Sequence, residues 1–247
     1  MTQQYPITVH PYASADAMGR HAGEHAAQLI RQAQDGGRRP RVMLAAAPSQ
    51  TPTLTALAAA PDVDFAKIDF FHMDDYIGLS PDAPQGFGNW LDRTFFTRLG
   101  GTTFHRIDTT LEPDQAAAHY AEVLGDAPFD LTLCGLGVNG HLAFNDPPAD
   151  FDDQHTVRVI DLDQVSRQQQ LDEGHFPDLA SVPTTAITVT IPRLLNADHV
   201  ICSVIGSVKR RAVINTIDHD PNADMPGTAL KLHPDAHLYV DREAYDA

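Results

Sequence analysis

The chain has 247 residues, 43% apolar and 20% charged, with 16 Gly and 18 Pro, a profile that excludes a disulfide-stapled mini-protein and a disordered or fibrous chain and suits one domain over 1–247. Its 17 Lys and Arg stand against 33 Asp and Glu, a formal charge of −16, with lysine only at Lys67, Lys209 and Lys231. So negative a surface repels phosphate backbones and anionic lipid, and neither nucleic acid nor a membrane is expected as a partner.

The first residues lack the basic start and apolar stretch of a signal peptide, and no segment approaches the roughly 18 apolar residues of a membrane span, so a cytosolic protein is expected. The first predicted element is an amphipathic helix over 14–34. Ser14 is its N-cap, Met18, Ala22, Ala26, Leu29, Ile30 and Ala33 recur at helical spacing, and Gly36 and Gly37 stop it. Within it, His21-Ala22-Gly23-Glu24-His25 has the H-x-x-E-H spacing of inverted zinc peptidases. His25, however, falls along the apolar stripe with His21 on its flank, and no third ligand segment stands out, so no metal site is expected.

Downstream, the runs RVMLAAA, DFFHM, DLTLCGLG, AITVTI, HVICSVIG and HLYVD read as strands, and 52–60, 87–99, 113–124 and 207–217 read as helices between them. Strands that are apolar throughout, separated by helices, predict an α/β fold, a mainly parallel Rossmann-like sheet with helices on both faces. Cys134 and Cys202 each lie inside an apolar run and read as small buried hydrophobes rather than a disulfide. The polar stretch 145–182 reads as an irregular excursion beside a site.

Ligands of such sheets bind beyond the carboxyl ends of the strands. After DFFHM come Asp74 and Asp75, adjacent carboxylates of the kind that tune a general base; alternatively one caps a helix or turn and the other faces solvent. After DLTLC, glycines at 135, 137 and 140 deliver His141 into a bend, with Asn139 and Asp146 close enough in sequence to orient its ring. The bland alternative is a solvated loop histidine. After RVMLAAA, the turn Ser49-Gln50-Thr51-Pro52 offers hydroxyls and helix N-terminal N–H groups to a phosphate, or simply caps a helix. Lys209-Arg210-Arg211 opens the helix after HVICSVIG and reads either as an anion site or as a solvated face.

MDDYIGL (73–79) together with GLGVNGHLAFNDP (135–147) resembles the glucosamine-6-phosphate deaminase family, part of a superfamily shared with 6-phosphogluconolactonase. The order of elements is similar from about residue 15 to 240. Lactonases tend to carry Asp-Glu-Arg at the first motif and to continue the second toward Leu-Phe-Pro, whereas Tyr76 and Phe144-Asn145 here are similar to deaminases. The resemblance implies that Asp74 moves a proton between C2 and C1 of an opened sugar and that His141 opens the ring with Asn139 and Asp146 as polar partners. It also implies that Lys209, Gly137 and the turn Ser49, Gln50 and Thr51 face the phosphosugar, without metal or cofactor.

Three departures stand out. Asp146 replaces a family Glu, so its contact with His141 is expected to need a shift or a water. Ser49-Gln50 replaces a Gly-Gly turn. The family's phosphate-binding Arg has no secure counterpart: Arg167 is near, while the aligned position holds Asp172 or Glu173. The expected reaction is an aldose-to-ketose isomerisation of an amino-sugar phosphate with loss of ammonia. Its alternatives are another phosphosugar isomerase, a lactonase, or a non-catalytic sugar-phosphate sensor. The expected partner is a small-molecule phosphosugar, with a homo-oligomer left open.

Overall fold

The apolar runs become the interior of a seven-stranded sheet in the computed structural model, which describes residues 4–246. In chain order the elements are β1 (Thr8–Tyr12), α1 (Ala15–Asp35), β2 (Arg41–Leu44), α2 (Thr51–Ala58), β3 (Asp69–His72), β4 (Asp74–Tyr76), α3 (Phe87–Thr94), β5 (Thr103–His105), α4 (Pro113–Leu124), β6 (Phe129–Cys134), β7 (Val157–Asp161), α5 (Gln164–Asp172), β8 (Thr185–Val189), α6 (Ile191–Leu195), β9 (Ala197–Val204), α7 (Arg210–Asp218), β10 (Ala236–Asp241) and α8 (Arg242–Tyr245). The large sheet runs β1-β10-β9-β6-β2-β3-β5, and every neighbouring pair in it is parallel.

Both faces of this sheet are covered, which is why its strands are apolar without alternation. In β2, Val42 and Leu44 pack with Met18, Ala22 and Leu54 of α1 and α2. Met43 points the other way, into the core that contains Ala116 and Tyr120 of α4. Ser14 caps α1 as expected, its hydroxyl accepting from the Ala17 N–H at 3.2 Å. Cys134 and Cys202 are free, buried and in register on β6 and β9.

One strand sits elsewhere than the parallel-sheet reading placed it. The AITVTI run forms β8, the middle of a separate three-stranded antiparallel sheet, β4-β8-β7. Its continuous apolarity arises because it too is covered on both sides: Ala186 packs with Tyr76 and Phe176, whereas Ile187 and Val189 face the core around α4. The polar stretch 145–182 is less irregular than expected, since it contains β7 and α5.

The order of the large sheet reverses between β2 and β6. From β2 the chain builds outward through β3 and β5, then returns to place β6 on the other side of β2 and continues through β9 and β10. Such a switch point leaves a crevice at the carboxyl ends of the two central strands.

The H-x-x-E-H stretch does not converge on one point. His21 is exposed, stacked on Tyr12 at 4.7 Å and 3.5 Å from Glu24, whereas His25 turns inward, its Nδ1 2.9 Å from the Tyr239 hydroxyl. His25 abuts His237, which is hydrogen-bonded to His10 at 3.0 Å and to Asp235 at 3.1 Å. Burial first, then His237 and His10, lowers the His25 pKa from 6.5 to about 4. The unfolded chain therefore binds the proton that the folded chain refuses, and stability falls as pH drops from about 6.5 toward about 4. Urea midpoints measured across that window should show a shallower acid slope for His25→Gln than for wild type; identical slopes would assign the loss to other groups.

Candidate active site

A cavity opens at the switch point, with about 560 Å³ of empty space that includes its open mouth, lined by the segments that follow β2 and β6, by β4 and by the end of α5. Its lining includes Asp74, His141, Lys209, Glu173, His175, Ser49 and Gln50.

Asp74 and Asp75 divide the two roles their sequence left open. Asp74 is buried, 6% exposed, and lines the cavity. Asp75 is spent on structure: Oδ1 accepts from the Tyr76 and Phe87 N–H groups at 2.8 Å and Oδ2 from that of Gly88 at 3.0 Å, so its carboxylate holds the start of α3. Burial, reinforced by the Asp75 charge, pushes the Asp74 carboxyl well above the ordinary carboxylate range and makes it a stronger base. The strand carrying it is fixed from both sides. β4 follows β3 after the single residue Met73, whose carbonyl accepts from the Val189 N–H at 2.8 Å, and Asp74 pairs with Thr188 of β8.

His141 enters from the loop after β6. Gly137 and Gly140 shape that loop: the Gly137 N–H donates to the His141 carbonyl at 3.0 Å, and Gly140 has φ +87. The imidazole lies directly over Gly137, where a Cβ would stand 2.2 Å from ring atoms. The His141 Nδ1 is 3.0 Å from Asp146 Oδ1, which also accepts from Asn139 Nδ2 at 2.8 Å and Ser166 Oγ at 2.5 Å. The shorter Asp146 side chain thus needs neither shift nor water, because the loop itself brings it to the ring. Burial raises its pKa, but His141, Asn139 and Ser166 outweigh that and lower it to about 2, so it is ionised at neutral pH. An ionised Asp146 fixes the proton on Nδ1 and leaves Nε2 as the atom to exchange protons with a ligand.

Ser166, fully buried at the start of α5, was missed because it lies in the polar stretch with no motif around it. Its hydroxyl is 3.0 Å from His141 Nδ1 as well as bonded to Asp146. The loop is further anchored by Phe144 N–H to Thr188 Oγ1 at 3.1 Å and by Gln169, whose Oε1 accepts from the Val138 N–H at 2.9 Å.

Of the residues the sequence nominates for the phosphate, Thr51 and Arg167 lie outside the cavity lining, and Gln50 lines it but is engaged elsewhere. Thr51 is exposed at the start of α2 and does not line the cavity; its N–H is turned back to the Pro48 carbonyl, and that of Gln50 to Ala47, by a short 3₁₀ turn. Ser49 and Gln50 do line it, but Gln50 Nε2 is committed to the Ser203 carbonyl at 3.0 Å. Arg167 is absent from the lining: its Nη2 donates to the carbonyls of Leu179 and Val182 at 2.7 and 2.9 Å, tying α5 to the next turn. Arg167→Ala should accordingly lower stability by about 1–3 kcal/mol through two orphaned carbonyls, while sugar-phosphate affinity stays at the wild-type level. Thermal melts and titration calorimetry check both halves, and a selective loss of phosphate affinity would restore Arg167 to the site.

Lys209 does reach the cavity, with its side chain only 7% exposed, but it is 3.5 Å from Glu173 Oε1. Burial lowers its pKa against the opposing pull of Glu173. Among the described residues, no group of three or more His, Cys, Asp or Glu is arranged to hold a metal ion, and no helix is long and apolar enough to cross a membrane.

Comparison with known proteins agrees with this architecture. The profile of the family described as glucosamine-6-phosphate isomerases/6-phosphogluconolactonase matches residues 13–239. A glucosamine-6-phosphate deaminase of Streptococcus sanguinis is 31% identical over 184 residues, 74% of this chain and 77% of that protein; one from Streptococcus pneumoniae is 29% identical over the same shares. The solved structure of a monomeric glucosamine-6-phosphate deaminase superposes with a TM-score of 0.86 at 25% identity, covering 96% of this chain and 98% of that one. A 6-phosphogluconolactonase from Shewanella baltica shares the fold at a TM-score of 0.77 and 15% identity, over 95% and 97% of the two chains. On the match over 13–239, the chain belongs to the glucosamine-6-phosphate isomerase/6-phosphogluconolactonase family.

Proposed function

We propose that this protein converts an amino-sugar phosphate, glucosamine 6-phosphate first among them, into the ketose phosphate with release of ammonia. The observation that carries the reading is the presence, in the lining of one cavity, of a buried carboxyl with raised pKa, Asp74, and a histidine oriented by an ionised carboxylate, His141 on Asp146. The deaminases among its relatives support the same reaction class.

The chemistry asks only for proton transfers and one water. His141 Nε2 moves the proton between the ring oxygen and the C1 hydroxyl as the hemiacetal opens. Asp74 takes the C2 hydrogen as a proton, leaving an enolamine, and returns a proton to C1, which makes the imine at C2. Water adds to that imine, and the carbinolamine collapses to the ketone as ammonia leaves. A carboxylate positioned and desolvated in this way contributes about 10²–10⁴ in rate. Phe87 and Phe144, stacked at 5.5 Å, add an apolar wall to the same cavity.

The test is to incubate the protein with glucosamine 6-phosphate and measure ammonia and ketose phosphate together. Equimolar appearance of the two is expected. Hydrolysis of 6-phosphogluconolactone with no ammonia from any amino sugar would replace this reading by the lactonase one.

A further inference from the structure

The cavity already contains an anion of its own. Glu173 follows α5 with its backbone open to solvent, yet its side chain is folded inward and only 28% exposed. Its Oε1 accepts from Gln169 Nε2 at 2.8 Å and lies 3.5 Å from Lys209 Nζ; its Oε2 lies 3.5 Å from His175 Nε2. All four side chains line the cavity, and Lys209 is the only Lys or Arg among the lining residues. Arg167 is held by two backbone carbonyls and Gln50 by a third. Lys209, His175 and the Gln169 amide, three of the donors lining the cavity, are therefore gathered around one internal carboxylate.

A phosphate entering here would meet that carboxylate at contact distance, and like charges so placed oppose binding strongly. Gly174, with φ +78, turns the chain immediately after Glu173, and the open backbone leaves room for the side chain to rotate outward. We infer that Glu173 is a resident occupant of the anion seat, and that a substrate phosphate binds by displacing its carboxylate from Lys209, Gln169 and His175. This rests on the phosphosugar reading and adds a specificity element to it. A bare anion has nothing to offset the displacement, whereas a sugar phosphate brings hydroxyl contacts along the rest of the cavity. The displacement cost is the same for both, so it sets an affinity threshold that free phosphate, without those contacts, falls below.

The seat can be tested apart from the reaction with glucitol 6-phosphate and glucitol, polyols that have no carbonyl to isomerise. Glu173→Gln keeps shape and hydrogen bonding but removes the charge; Glu173→Ala empties the position. By calorimetry, Glu173→Gln should bind glucitol 6-phosphate and inorganic phosphate about tenfold more tightly than wild type, with affinity for glucitol unchanged. Glu173→Ala should shift phosphate affinity in the same direction, which guards against a fault peculiar to one variant. If both variants bind glucitol 6-phosphate no more tightly than wild type, the carboxylate is not a competitor and the inference is overturned. A protein that releases no ammonia yet shows the tenfold difference would lose the proposed reaction and keep the displaced carboxylate.

Discussion

Asp74→Asn should abolish exchange of the substrate C2 hydrogen with solvent deuterium and lower turnover by about 10²–10⁴ while sugar-phosphate binding stays close to wild type. The amide matches the carboxyl in size and has no basic lone pair, so only the proton acceptor is lost. A second readout separates this role from a structural one. Because burial raises the Asp74 pKa, its ionised form is held in the fold at a cost, and that cost grows as pH rises above the ordinary aspartate value of 3.8. The neutral Asn variant should accordingly melt at a higher temperature than wild type at neutral pH, with the gap closing as pH falls toward 3.8. Exchange at the wild-type rate in the variant would remove Asp74 from the proton-transfer step.

Gly137→Ala is the second large effect, and it acts without touching any polar group. The added methyl would stand 2.2 Å from the His141 ring, well inside contact, so either the imidazole leaves its place over the loop or the loop moves. Overpacking of this kind costs about 1–3 kcal/mol in stability, and a misplaced acid–base group forfeits about 10²–10⁴ in rate. The loss should match that of His141→Gln, and the double variant should be little worse than either single one, since both remove the same function. The defect should also be larger on the cyclic sugar than on an open-chain analogue that bypasses ring opening. Full activity in Gly137→Ala would mean that the ring position above residue 137 is not the working one.

Much of this was legible in the sequence, for identifiable reasons. Strands buried on both faces announce themselves as continuous apolar runs, and Asp74 and His141 stood out because they follow such runs directly. The same cue could not tell which sheet a strand joins: AITVTI is as apolar as RVML, yet it pairs antiparallel in the small sheet, and only its partners decide that. β1 was missed because TVHPY holds a proline and a histidine on an edge, and β5 because it has only three residues. Asp75 and Arg167 show the limit for single side chains. A carboxylate that caps a helix and one that faces a cavity look alike in sequence, as do an arginine that binds backbone carbonyls and one that binds phosphate. Ser166 lay where no pattern pointed, and Glu173 appeared only as the position aligned with the family's phosphate-binding Arg, with nothing in the sequence to mark it as a group inside the cavity.

Ser166, Gln169, Gln170 and Glu173 follow the spacing i, i+3, i+4 and i+7 along α5 and its C-cap, so they share one face, and Gln169, Gln170 and Glu173 line the cavity. Ser166 and Gln170 are buried there while Val165 is 48% exposed, which turns the usual polarity of a surface helix inside out. A helix docked largely through polar groups, with Leu171 as its partly buried apolar contact, gains little from removing apolar area from water and relies on polar contacts such as those of Arg167. Segments of that kind lie at the low end of the local-opening scale. The wall of the cavity with little apolar anchoring therefore bears both Glu173 and the serine that orients the histidine's carboxylate, so any local opening there would disturb the anion seat and the histidine together.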